Sequence, residues 1–162
     1  MLYCFRSVRI FSPSEKSSRE KVKEKIVTTF FKGMLYEELQ NLGVDYVNSQ
    51  LNHLIKHEAY QKFKWHKEQG HFCVLVSAAP EFYLQEWGKL HQFDAILATR
   101  LEVLPNRTIS GKINGFNCWG PEKVKRLNEL LGGKNYQLYA YGDSRGDQEL
   151  LQSADHSFYR SF

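Results

Sequence analysis

An α/β protein built on a parallel sheet is predicted by three features of this 162-residue chain. From His71 onward, short apolar runs alternate with amphipathic helical stretches, the pattern of repeated strand-helix-strand units. The run His71-Phe72-Cys73-Val74-Leu75-Val76 is continuously apolar, as expected of a parallel strand buried on both faces. The first third of the chain has helical periodicity almost throughout, which makes it a cap or insert beside the sheet. The division that follows places a helical cap-type region over residues 1–53 and the α/β core over residues 54–162.

Each element has its local reason. Ser12-Pro13-Ser14-Glu15 offers an N-cap, a first-turn proline and a glutamate three residues after the cap, so a helix is expected from there to about Lys32. Its apolar face is read as Val22, Ile26, Val27, Phe30 and Phe31, with Gly33 as the stop. The charges between them alternate in sign, the mark of a solvated face. A second helix spans Tyr36 to Leu42 and ends at Gly43, and a region from Asp45 through Ile55 leads into a helix over His57–Gln69. After the apolar strand, Ser77-Ala78-Ala79-Pro80 closes the run and Glu81 to His91 reads as helix. Phe93 to Ala98 is a short strand, and Arg100–Val103 with Thr108–Ile113 forms a hairpin through Pro105-Asn106-Arg107. Pro121 opens a helix whose apolar face is Val124, Leu127, Leu130 and Leu131, and Gly132-Gly133 ends it. Tyr136 to Gly142 is a strand, an acidic turn leads into a helix whose apolar face begins with Leu150 and Leu151 and which runs to Ala154, and a last strand lies around Ser157–Tyr159.

Composition narrows the function classes. The chain is 42% hydrophobic and 25% charged with net charge +4, an ordinary globular balance that favours anionic partners without singling out nucleic acid. A nucleic-acid face would be basic and unbroken by glutamate, which this chain does not offer. Cys4, Cys73 and Cys118 have no metal-ligand spacing and an odd count, which predicts reduced thiols and a cytoplasmic setting. The opening Met1-Leu2-Tyr3-Cys4-Phe5-Arg6 is too soon interrupted by charge for a membrane span, so no stable membrane insertion is expected.

Three polar residues fall at equivalent places in this layout: Ser77 and Asp143 where strands end, and Lys123 in the first turn of a helix between them. Strand ends are where open α/β sheets bind ligands. A lysine in a first helical turn opposes the helix dipole unless an anion holds it. Together the three suit phosphate, with hydroxyl and ammonium on its oxygens and the carboxylate acting through magnesium. A plainer reading stands beside this one: Ser144 and Asp147 have capping-box spacing, and Asp143 can satisfy free amides at a helix start.

Val-Leu-Val before Ser77, Gly120-Pro121-Glu122-Lys123, and Gly142-Asp143-Ser144-Arg145-Gly146-Asp147 resemble the second, third and fourth signature motifs of haloacid dehalogenase-like (HAD) hydrolases. Trp65 to His71, Ala98 to Val103 and the tail from Ala154 resemble subfamily IB, the phosphoserine phosphatase-like branch. The resemblance implies a Rossmann-like core with a helical cap, and magnesium-dependent hydrolysis of a small phosphorylated substrate through an aspartyl-phosphate. It also implies residue roles. Ser77 and Ala78 contact the phosphoryl group, Lys123 neutralises it, Asp143 ligates magnesium, and Asp147 supports the metal site.

One departure decides what to expect of the chain. The family's first motif, Asp-x-Asp-Gly-Thr, is absent: the aspartates are Asp45, Asp94, Asp143, Asp147 and Asp155, and no two are so spaced. Asp94 follows a phenylalanine, as the family's nucleophile often does, but it belongs to a later strand. The expectation is an N-terminally shortened and catalytically silent chain, whose missing central strand leaves two neighbours with open edges. A binding module that holds a phosphorylated ligand or a partner without turnover is the alternative. Cysteine-based catalysis at Cys118 with His91 is a third reading, which nothing in the spacing supports.

Overall fold

The computed structural model describes residues 18–132 and 136–162, so the expected helix start at Ser12–Glu15, Cys4 and the stop at Gly133 lie outside the described residues. The first helix, α1 (Ser18–Phe31), is followed by α2 (Tyr36–Tyr46), a single π-helical turn at Val47–Leu51 and the short α3 (Asn52–Leu54). Extended backbone at Ile55 and Lys56 breaks the helix before α4 (His57–Glu68). Then come β1 (Val74–Pro80), α5 (Glu81–Leu90), β2 (Ala95–Thr99), the hairpin β3 (Leu101–Val103) and β4 (Ile109–Ile113), and α6 (Pro121–Leu131). The chain closes with β5 (Tyr139–Gly142), a 3-10 turn at Arg145–Asp147, α7 (Gln148–Gln152) and β6 (His156–Tyr159).

Two readings of the helical third change. Gly43 does not stop α2. It lies inside the helix, where a Cβ would come within 2.9 Å of both the ring and the carbonyl oxygen of Phe82, so glycine serves close approach to α5. The apolar face of α1 also splits. Val27 and Phe31 turn inward to Leu39 and Ile109, whereas Val22, Ile26 and Phe30 are exposed. At about 100° per residue the two stripes lie on different sides of the helix and cannot face one core.

In the core, β1 and β2 run parallel, with Val74, Leu75 and Val76 opposite Ala95, Ile96 and Leu97. Alternation sorts their side chains between two layers. Leu75, Ile96 and Ala98 pack with Leu84, Trp87, Val47 and Leu51 on one side. Val74, Val76 and Leu97 pack with Leu127, Leu150 and Leu151 on the other, together with Ala140 of β5. That second cluster joins the β1–β2 pair to the parallel pair β5–β6, in which Tyr139 to Gly142 lie opposite His156 to Tyr159.

The strand expected from His71 begins three residues later. His71 is drawn off to hydrogen-bond His66 and stack on Tyr139, and Cys73 is pinned by Asp94, which accepts its N–H at 2.6 Å. Every residue of β1 is half-buried, not enclosed on both faces. The reason is the gap beside it. Among the described residues β1 hydrogen-bonds as a strand only with β2, and β5 only with β6. A cavity of about 1250 Å³ runs along both open strands, lined by Val74–Ala78 of β1, by Tyr139–Gly142 of β5 and by Leu138 just before it.

Candidate active site

The cavity between the two strand pairs receives side chains from three separate segments. β1 delivers Ser77 and Ala78, α6 delivers Lys123, and the turn after β5 delivers Asp143, Ser144 and Asp147. The five candidate residues, Ser77, Ala78, Lys123, Asp143 and Asp147, therefore line one space with Ser144.

The Ser77 hydroxyl accepts the Ala79 N–H at 3.1 Å, a local turn that fixes the β1 exit. The neighbouring Ala78 carbonyl is held from two sides, by the Thr99 hydroxyl at 2.7 Å and by the Lys23 ammonium from α1. Thr99 is fully buried and also accepts the Cys118 N–H at 3.1 Å, and Lys23 reaches Asn117 Oδ1 at 2.5 Å. The cap thus grips the C-terminal half of β1 through a lysine whose pKa burial lowers.

Lys123 enters by way of Gly120, whose backbone at φ +60° suits glycine and lets Pro121 start α6. Its ammonium is buried, donating to Asp147 Oδ1 at 2.5 Å and to the Val76 carbonyl at 3.2 Å. The anion that a first-turn lysine requires is supplied by the protein itself. The second oxygen of Asp147 accepts the Ser144 N–H at 3.0 Å and its hydroxyl at 2.6 Å, so the capping box is formed. Burial alone would raise the Asp147 carboxyl. The hydrogen bonds from Lys123 and Ser144, with the lysine's charge, outweigh it and hold the carboxyl below its usual range.

Asp143 does no capping. Its exposed carboxylate faces Lys56 at 3.4 Å, an ion pair of the weak surface kind. Lys56 also donates to the Phe162 carbonyl at 3.2 Å, and Arg160 donates to the Asp143 carbonyl at 3.2 Å, so the tail folds back over this corner. No group of three or more His, Cys, Asp or Glu side chains converges among the described residues. Asp143 is nonetheless a donor that fits magnesium, which uses one or two carboxylates and completes its shell with phosphate oxygens and water.

Two other candidates are placed elsewhere. Asp94 sits just before β2, level with the start of β1, where Lys67 donates to both of its oxygens at 2.9 Å. Ser77 is three residues further along β1 than Val74, about 10 Å at strand rise. Cys118 is buried against the Leu97 carbonyl at 3.4 Å, and burial pushes its thiol pKa up. His91 bonds the Tyr60 hydroxyl at 2.7 Å and packs on Trp87, so the two do not form a nucleophile-base pair.

Sequence reasoning missed Lys56, Lys23, Thr99 and Asn117. Lys56 lies 87 residues from Asp143, and Lys23 lies 55 from Ala78. No local spacing marks such contacts.

A parallel α/β core with a helical cap, and a polar cluster in the crevice beside the strands, is the arrangement in which open α/β folds bind ligands. The chain belongs to the haloacid dehalogenase-like hydrolases: that family's profile matches residues 8–152. It is 30% identical over 145 residues to Protein CicA of Caulobacter vibrioides, covering 90% of this chain and 65% of that one. The chain thus spans just under two thirds of that relative's length. In fold it resembles a Bordetella pertussis protein of unknown function, with TM-score 0.71 and 22% identity over 85% of this chain and 64% of the other. It also resembles a phosphoserine phosphatase solved as a phospho-aspartyl intermediate analogue, with TM-score 0.57 and 19% identity over 83% and 62% of the two chains. Among the described residues, no helix is long and apolar enough to cross a membrane.

Proposed function

We infer that these residues form the phosphate- and magnesium-holding part of a phosphomonoester hydrolase site that takes a small phosphorylated substrate. One observation carries this reading: Ser77, Lys123, Asp143 and Asp147 come from three distant segments and line the same cavity. Phosphoryl transfer needs positioned charge above all else, and hydroxyl, ammonium and carboxylate are the groups it uses. In this reading the Ser77 hydroxyl donates to one phosphoryl oxygen and Lys123 offsets charge on another. Asp147 holds the ammonium in place, and Asp143 is the side chain that would ligate magnesium. Magnesium, when bound, neutralises charge on the phosphate oxygens.

The attacking group is not among these residues. Among the described residues no base is bonded to the Ser77 hydroxyl, and Asp94 is committed to Lys67 and Cys73 at the far end of β1. An aspartate carried on a strand between β1 and β5 would meet the phosphorus from the open side of the cavity, and the unpaired edges there support that position. Without it the chain binds phosphate and does not turn it over. Free Cys73 and Cys118 fit a reducing, cytoplasmic setting for such chemistry.

The test is hydrolysis of p-nitrophenyl phosphate with magnesium, by the 162-residue chain and by the chain preceded by a strand-loop-helix unit bearing Phe-Asp-x-Asp-Gly-Thr. The extended protein should be active and lose activity on Asp143→Asn or Ser77→Ala, while the shorter one is silent. Turnover by the shorter chain that vanishes on Asp94→Asn would overturn the reading.

A further inference from the structure

We propose that α1 is a docking face for an anionic lipid surface, on which the protein rests by an apolar stripe flanked by lysines. The helix carries two stripes with opposite fates. Its inner side holds Glu20, Glu24, Val27 and Phe31. The two apolar residues pack on β4 and α2, and both carboxylates are consumed there. Glu20 accepts the Asn117 N–H at 2.7 Å, and Glu24 accepts the Ile113 N–H at 2.8 Å. The outer side holds Val22, Ile26 and Phe30 at successive four-residue steps, exposed by 61%, 51% and 68%. Large apolar side chains in an unbroken row at that exposure are what an interaction face shows.

Charge identifies the occupant. With both glutamates turned inward, the exposed residues around the stripe are cationic or neutral: Lys21, Lys25 and Lys32 lie together on one flank, and no exposed acid of α1 opposes them. Arg19, in line with the stripe one turn before Val22, is engaged over the Trp119 ring at 4.6 Å. A second copy of the same face would bring lysine against lysine, which disfavours self-pairing. A helix lying flat with an apolar stripe and a lysine flank matches the interfacial helices that sit at an anionic headgroup layer. Such a layer also asks for no hydrogen-bonding partner along the stripe, and the stripe offers none. This is adsorption to one leaflet and not a membrane span.

The experiment is flotation of the full 162-residue chain with vesicles of phosphatidylcholine alone or mixed with phosphatidylserine. Binding is expected only to the mixed vesicles and should weaken with added salt. Changing Lys21, Lys25 or Lys32 to Glu should lower the partition coefficient at least about fivefold per site, since each basic side chain near an anionic surface is worth about 1 kcal/mol. Phe30→Ser and Ile26→Ser should remove binding, and because both side chains are exposed, circular dichroism should be unchanged. The proposal fails if the parent chain stays with the unbound fraction, or if Phe30→Ser floats as well as the parent. It also fails if Phe30→Ser instead abolishes a concentration-dependent dimer seen without lipid, or a complex with an acidic protein.

Discussion

Replacing Lys123 by methionine keeps most of the unbranched apolar stem and removes the ammonium that meets Asp147 at 2.5 Å and the Val76 carbonyl at 3.2 Å. The side chains of this pair are 7% and 11% exposed, so solvent cannot take over the abandoned carboxylate. Breaking a buried pair from one side costs about 3–5 kcal/mol, against a total stability of about 5–15 kcal/mol for a domain. The loss should follow pH in a defined direction. In the parent, the Asp147 carboxyl is held below its ordinary range, so its contribution is present above the unfolded-state pKa and is lost as pH falls through the lower folded value. In the variant only burial and Ser144 remain, the folded pKa rises, and Asp147 becomes a burden that protonation relieves. The gap between parent and variant is therefore widest near neutrality and narrows toward about pH 4. Urea unfolding of dilute protein, followed by tryptophan fluorescence across that range, measures it. A variant within about 1 kcal/mol of the parent at neutral pH, or a gap that does not change with pH, would refute the buried-pair reasoning.

Gly43→Ala should destabilise although it lies in a helix. The gain in helix propensity is about 1 kcal/mol, and the new methyl meets the Phe82 carbonyl oxygen at 2.9 Å, an overpacking worth about 1–3 kcal/mol; a higher melting temperature would show that α2 and α5 can move apart. Thr99→Val keeps the shape of a fully buried side chain but leaves the Cys118 N–H without its acceptor, a loss of about 1–3 kcal/mol, whereas Thr99→Ser should retain most of the stability. Equal unfolding midpoints for the valine and serine variants would contradict that account.

Much of the architecture is written locally. The proline that opens α6, the apolar rhythm of Val124 and Leu127, and the switch from helical to strand period after Gly70 depend on neighbours a few residues away, and the structure follows them. What was not legible depends on distant partners. Gly43 looks like a stop until Phe82 is seen against it. The five apolar positions of α1 look like one face until the inward direction of Glu20 and Glu24 shows which side meets β4. The start of β1 is set by Asp94 and by a histidine pair, not by where hydrophobicity begins. At the site, residue types and layout singled out Ser77, Lys123, Asp143 and Asp147, the family resemblance added Ala78, and all five line one cavity. The sequence could not show that Lys123 is already neutralised by Asp147, or that Lys56 stands opposite Asp143.

The central claim is that this cavity holds phosphate together with magnesium, and calorimetric titration of the 162-residue chain with inorganic phosphate tests it without requiring turnover. Phosphate binding that strengthens when magnesium is present, and is lost in both Ser77→Ala and Asp143→Asn, is the predicted result. Phosphate or magnesium binding that survives both substitutions unchanged would contradict it.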